Sequence, residues 1–158
     1  MRYVVGRSGA LKVMPDVAAQ QQKELSLGLH RVETYRQFGR NVNRSREELV
    51  GLLQRLKREG RRVAGYAATS KSTTVLNYCG ISPDLIEFIS DTTPIKQGRF
   101  SPGAHIPVRT REEFQVPYPD YALLFAWNHA EEIINNERDF CQAGGKWIRY
   151  VPKVEIVA

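Results

Sequence analysis

The run Tyr121-Ala-Leu-Leu-Phe-Ala126 constrains this chain more than any other segment, because it is apolar throughout. An unbroken apolar stretch that begins just after Pro119-Asp120 and ends at Trp127-Asn128 reads as a strand buried on both faces. That is the situation of a central strand in a parallel sheet. Around it, strand-like and helix-like segments alternate. Arg62-Val-Ala-Gly-Tyr66 reads as a strand, Val75 to Gly80 as helix, and Leu85 to Ser90 as a second strand after the turn Ser82-Pro-Asp84. His105-Ile-Pro-Val108 is a short strand, and Thr110-Arg-Glu-Glu113 is spaced as a capping box. His129 to Ala143 reads as a helix closed by Gly144-Gly145, and Lys146 to Val151 as a last strand. Such alternation packs as a mostly parallel sheet covered by helices. The expected fold is α/β and Rossmann-like.

Before Gly60 the character differs. Met1-Arg-Tyr-Val-Val-Gly-Arg7 reads as a lone strand with no neighbour to satisfy its backbone. Pro15-Asp16 opens helical sequence with Asp16 as the expected N-cap. From there Leu29, Val32, Tyr35, Phe38, Val42, Leu49, Leu52 and Leu56 form one apolar stripe, with Gly39 and Asn41 as the expected break and Gly60 as the stop. Three segments follow: 1–15 as strand and linker, 16–60 as amphipathic helix, and 61–158 as the α/β domain.

With 42% hydrophobic and 25% charged residues, 158 residues can pack one core, and wholesale disorder is excluded. The net charge of +6 suits an anionic partner. Its densest run, Arg55 to Arg62, sits at a helix end, where basic residues complement the dipole; a solvated face is expected there, not a nucleic-acid stripe. No apolar run approaches ~18 residues, so no membrane partner is expected. Cys79 and Cys141 offer neither a disulfide framework nor a zinc spacing, and a reducing cytoplasm fits them best.

Ligands of such sheets bind beyond the carboxyl ends of the strands. Ser70, Lys71, Ser72 and Thr73 follow the first strand, where hydroxyls, one cation and a helix N-terminus suit a phosphate. An ordinary capped turn accounts for the same residues. Asp91 ends the second strand, in the place of an acid for ribose hydroxyls or of a simple turn cap. Lys96 and Gln97 are anion and amide donors, or a solvated loop. Asn128 is a ligand contact or a helix cap; His129 and His105 are acid–base candidates or plain polar residues. Gly65, Ala67 and Ser70 fill the dinucleotide glycine pattern only in part, which sets aside a nicotinamide-dependent oxidoreductase. No catalytic triad, carboxylate pair or metal cluster is expected.

Gly65-Tyr66 through Lys71, Leu76-Asn-Tyr-Cys-Gly-Ile81, Pro83-Asp84-Leu85, Lys96-Gln-Gly-Arg99, Pro102-Gly103, His105-Ile-Pro107, Ala126-Trp-Asn128 and Gly144-Gly-Lys146 resemble one family. They are similar to the C-terminal domain of S-adenosylmethionine-dependent nucleotide-sugar C-methyltransferases, over residues 45 to 155. The resemblance implies a larger enzyme with a zinc-binding domain and a central methyl-donor domain. Met1 to Arg7 would then be the tail of the donor domain. The present domain would hold the nucleotide sugar, through Ser70, Lys71, Ser72, Thr73, Asp91, Lys96, Asn128 and His129. S-adenosylmethionine would be bound elsewhere, and this chain alone would be inactive. Two departures weaken the carried-over site: Ala67 stands where relatives carry a second glycine, and Lys71-Ser72 where they carry Lys-Gly. A stand-alone nucleotide-binding or regulatory module, docking on a separate methyl-donor protein, is the alternative.

Overall fold

Trp147, Leu123 and Ala64 lie on adjacent strands and are wholly buried, which fixes the middle of the sheet. A computed structural model describes residues 4–157. The chain divides into two units, Met1–Val42 and Asn43–Ala158.

In the first unit, residues 4–14 form no strand; the expected strand fails there for want of a partner, and its residues 1–3 lie outside the described residues. Helix α1 spans Pro15–Ser26. Its N-cap is Met14, not Asp16: Pro15, with its preset φ, takes the first helical position, and Asp16 falls in the first turn. The break expected at Gly39 and Asn41 comes earlier, around Gly28, whose φ is 68°. There Thr34 Oγ1 donates to Gly28 O at 2.8 Å and Tyr35 Oη to Leu29 O at 2.6 Å. Helix α2 then runs unbroken over Val32–Arg58. Side-chain rungs carry it past Gly39, with Gln37 Nε2 donating to Asn41 Oδ1 and Arg40 to Gln37 Oε1.

In the second unit, strands β1 (Val63–Tyr66), β2 (Ile89–Ser90), β3 (Val108–Arg109), β4 (Tyr121–Leu124), β5 (Lys146–Arg149) and β6 (Glu155–Val157) form one sheet. Their order is β3-β2-β1-β4-β5-β6, parallel except for β6, which pairs antiparallel with β5. The fold is the expected mostly parallel, Rossmann-like α/β sheet. Helix α3 (Ser70–Cys79) begins well before Val75, because Thr69 caps it and short polar side chains bond back to the backbone. The expected helix over 129–143 is broken into a 3₁₀ turn at Trp127–His129, α5 (Ala130–Asn136) and α6 (Arg138–Gln142). Helix α4 (Arg111–Gln115) has the expected capping box, closed by Thr110 and Glu113.

Strand residues alternate between two cores. Gly65, Leu123 and Ile148 face one that includes Leu49, Leu53 and Leu56 of α2 and Leu76 of α3. Ala64, Tyr66, Leu124 and Trp147 face an aromatic one with Phe114, Phe140 and Phe88. In the aromatic core, Tyr66 Oη donates to Glu137 Oε1 at 2.7 Å, and Arg111 Nε donates to the same oxygen at 2.5 Å. Burial, then the hydrogen bond to Glu137, push the Tyr66 phenol well above its ordinary value. Among the described residues, no helix is long and apolar enough to cross a membrane.

Candidate functional site

The strand order reverses direction between β1 and β4, which pair in register from Val63↔Tyr121 to Tyr66↔Leu124. At this reversal the loops leaving the two carboxyl ends diverge and open a crevice. The loop after β1 starts at Ala67, whose φ of 71° is left-handed and costs an alanine about 1 kcal/mol or more. This is the position where glycine was expected from the family pattern.

Thr69 Oγ1 accepts from Ser72 N at 3.2 Å. The amides of Ser70 and Lys71, in the first turn, have no intrahelical acceptor. Lys71 Nζ donates to Asn128 Oδ1 at 2.6 Å and lies 5.4 Å from the centre of the Trp127 ring. The end of β1 and the end of β4 are thus joined by one cation, one amide and one indole.

The eight expected site residues separate into three groups. Lys71 and Asn128 meet. Ser70 is exposed beside them, and His129 is exposed with Nδ1 3.7 Å from Glu132 Oε2. Ser72 is buried and its hydroxyl donates to Thr69 O at 2.6 Å, so it is a capping residue and not an available ligand donor. Thr73 sits farther round the helix, lining a second groove. Asp91 and Lys96 form a separate staple. Asp91 Oδ2 accepts from Ala68 N at 2.7 Å and Lys96 Nζ at 3.1 Å, and Oδ1 accepts from Thr93 N at 2.8 Å. A carboxylate so engaged, and only 6% exposed, holds two loops together, in keeping with the turn-cap reading of this residue.

Burial raises the Asp91 carboxyl, but hydrogen bonds from Thr93 and Lys96 outweigh it and leave it below its ordinary 3.8. A carboxyl lowered on folding stabilises the fold above its unfolded value and loses that contribution as pH falls through the folded one. Asp91→Asn is expected to cost about 1–2 kcal/mol at neutral pH. In urea unfolding, the gap to the parent should close as pH is taken from about 4 toward 2.

Two hollows flank the Lys71–Asn128 pair. One, of about 450 Å³, is lined by Trp127, Asn128, His129, Glu132 and Arg149. The other, of about 250 Å³, lies between Ala68, Ser72 and Thr73 on one side and Ile95 to Pro102 on the other. A larger hollow of about 570 Å³ belongs to the first unit, between Gln21, Glu24, Leu25, Leu29, His30 and Tyr35. It lies at no strand end, so the crevice at β1 and β4 is the better candidate. Cys79 is buried, and burial pushes its thiol up, as expected of a packing residue. His105, with φ 53°, lies in the loop before β3. Trp127, Arg149, Arg99 and Phe100 went unassigned in the sequence; for the last two the signal was there, a cation and an aromatic side by side after the second strand.

A mostly parallel sheet that reverses its strand order between β1 and β4, with helices over its faces, defines a Rossmann-like α/β domain. The chain belongs to the C-methyltransferase C-terminal domain family, whose model matches residues 1–152. Over 147 residues it is 39% identical to C-methyltransferase NovU of Streptomyces niveus, a match covering 93% of this chain and 35% of that protein. The chain therefore spans about a third of the length of that relative.

Proposed function

We propose that this domain holds the substrate of a C-methyltransferase, and that the substrate is a nucleotide-linked deoxysugar. Lys71 and the first turn of α3 take the phosphates, and Asn128 and His129 border the sugar. The observation that carries this reading is the Lys71–Asn128 contact across the strand reversal. It keeps a cation poised between two loops, on a partner that an anion can displace. Methyl transfer needs a carbon nucleophile in line with the donor methyl, and fixing the substrate contributes to that geometry by proximity. In this reading the domain supplies orientation and the methyl group comes from elsewhere in the enzyme.

S-adenosylmethionine is the donor this family implies, and the residues here do not fit it. Asp91, in the place of a ribose-binding acid, has both oxygens engaged by the protein. Around Gly65 there is no cradle, since even a Cβ there would stand 2.7 Å from Phe125 Cε2. We therefore assign the donor to a part of the enzyme outside these residues, a partner domain or protein.

Calorimetric titration with nucleoside diphosphates and nucleotide sugars tests the proposal. Lys71→Ala should weaken binding by about tenfold or more, the effect of a charged hydrogen bond to phosphate. Equal affinity in parent and variant would overturn the role of Lys71.

A further inference from the structure

The groove between α3 and residues 95–102 has no role in the contacts made by Lys71 and Asn128. Its outer wall carries Ile95 and Phe100, exposed by 73% and 64%. An exposed phenylalanine on a slack loop would mean little, but this backbone is held on both sides. Phe100 bridges Pro107; Gly98 N donates to Val108 O at 2.9 Å, and Val108 N to Arg99 O at 2.7 Å. Ser101 N donates to Ile106 O at 2.8 Å, and Ile106 N returns to Ser101 Oγ at 3.0 Å. The ring thus stands on a fixed support with little protein over it. Beside it, Arg99 makes no ion pair or side-chain hydrogen bond among the described residues, whereas Lys96 is engaged by Asp91. Ser72 and Thr73, the chain neighbours of Lys71, line the opposite wall.

An aromatic face next to an unpaired guanidinium is complementary to a flat heterocycle carrying phosphate. The groove's volume of about 250 Å³ falls below the ~300–1,000 Å³ of sites that enclose a whole ligand, so it suits one part of a ligand. We propose that this groove seats the base of a nucleoside diphosphate, stacked on Phe100 with Arg99 as a second cation, an assignment that rests on Lys71 binding the phosphates. The phosphates then run past α3 toward Lys71, and the sugar toward Asn128 on the far side.

The test is titration of the chain with UDP, dTDP, ADP, GDP and inorganic pyrophosphate, in the parent and in Phe100→Ala, Phe100→Trp and Lys71→Ala. At least one nucleoside diphosphate should bind on the order of tenfold more tightly than pyrophosphate, the scale of one base stacked on an aromatic ring. Phe100→Ala should erase that advantage and leave pyrophosphate unchanged; Phe100→Trp should keep it; Lys71→Ala should weaken both probes. Nucleoside diphosphate binding that is lost with Lys71→Ala but indifferent to Phe100→Ala overturns the base seat and leaves the phosphate reading standing. Indifference to Lys71→Ala overturns the phosphate reading and the base seat with it. No advantage of any base over pyrophosphate, or no binding of any probe, also overturns the base seat. Melting temperatures within a degree or two of the parent separate these outcomes from misfolding.

Discussion

Gly145→Ala is expected to lower stability by about 3 kcal/mol, the upper range for forcing a methyl into a filled core. A Cβ at this position would stand 2.0 Å from Phe140 Cε2 and 2.3 Å from Cδ2. Phe140 cannot swing aside. Its ring is wholly buried, 5.1 Å from Phe114, 5.6 Å from Tyr118 and 5.0 Å from Trp147, centre to centre. For a domain of this size the melting temperature should fall by about 10 °C. The neighbouring glycine gives the control. Gly144 has a φ of 91°, but a Cβ there would have nothing within 4 Å among the described residues, so Gly144→Ala meets only backbone strain, about 1–2 kcal/mol. Combining Gly145→Ala with Phe140→Leu should cost less than the two changes summed, because the smaller side chain vacates the space the methyl needs. Costs that simply add would mean the clash is relieved by backbone movement.

Arg111→Ala should cost about 3 kcal/mol, the low end for breaking a buried ion pair. Glu137 is 2% exposed, and its Oε2 has no hydrogen-bond partner among the described residues. Oε1 receives both Arg111 Nε and the Tyr66 hydroxyl. Removing the guanidinium leaves a carboxylate enclosed by aromatic rings with one neutral donor. The outer face of Arg111 is in water, which holds the cost below that of a fully enclosed pair. Glu137→Gln keeps an acceptor for Tyr66 and removes the charge. The double variant Arg111→Ala/Glu137→Gln should therefore be more stable than Arg111→Ala alone, by chemical unfolding at pH 7. A double variant that is less stable would place the value of Arg111 in its packing and not in its charge.

The sheet was legible in the sequence because its central strands are two-sided. Val63 to Tyr66 and Tyr121 to Leu124 are near-continuous apolar runs bounded by turn residues, the pattern of a parallel strand covered on both faces. The edges were less legible. Of the strand read over Leu85–Ser90 only Ile89–Ser90 is ladder; Leu85 and Ile86 belong to the turn after Ser82, although Glu87 N still donates to Val63 O. The antiparallel β6 was missed because Glu155-Ile-Val157 carries too short a pattern. Helix starts were misjudged where polar side chains do unusual work, as at Thr69 to Thr74, whose composition reads as loop but where the Ser72 and Thr74 hydroxyls donate to backbone oxygens of their own turn. Lys71 and Asn128 could be named from their places after β1 and β4. Their contact could not, since it depends on which strands are neighbours. Asp91 shows the reverse limit: its position suited a ligand contact or a turn cap equally, and only its three internal donors reveal how it joins the two loops.

The two tryptophans lie in contrasting places. Trp147 is sealed in the aromatic core beside Tyr66 and Phe140, while Trp127 is 39% exposed at the strand reversal with Lys71 against its ring. The chain therefore carries two intrinsic optical reporters with separate duties. A water-borne quencher reaches the indole at the crevice and not the one in the core. Events that draw Lys71 away from Trp127 are registered by the quenchable part of the emission, and loss of the fold by the protected part, with no label added to either.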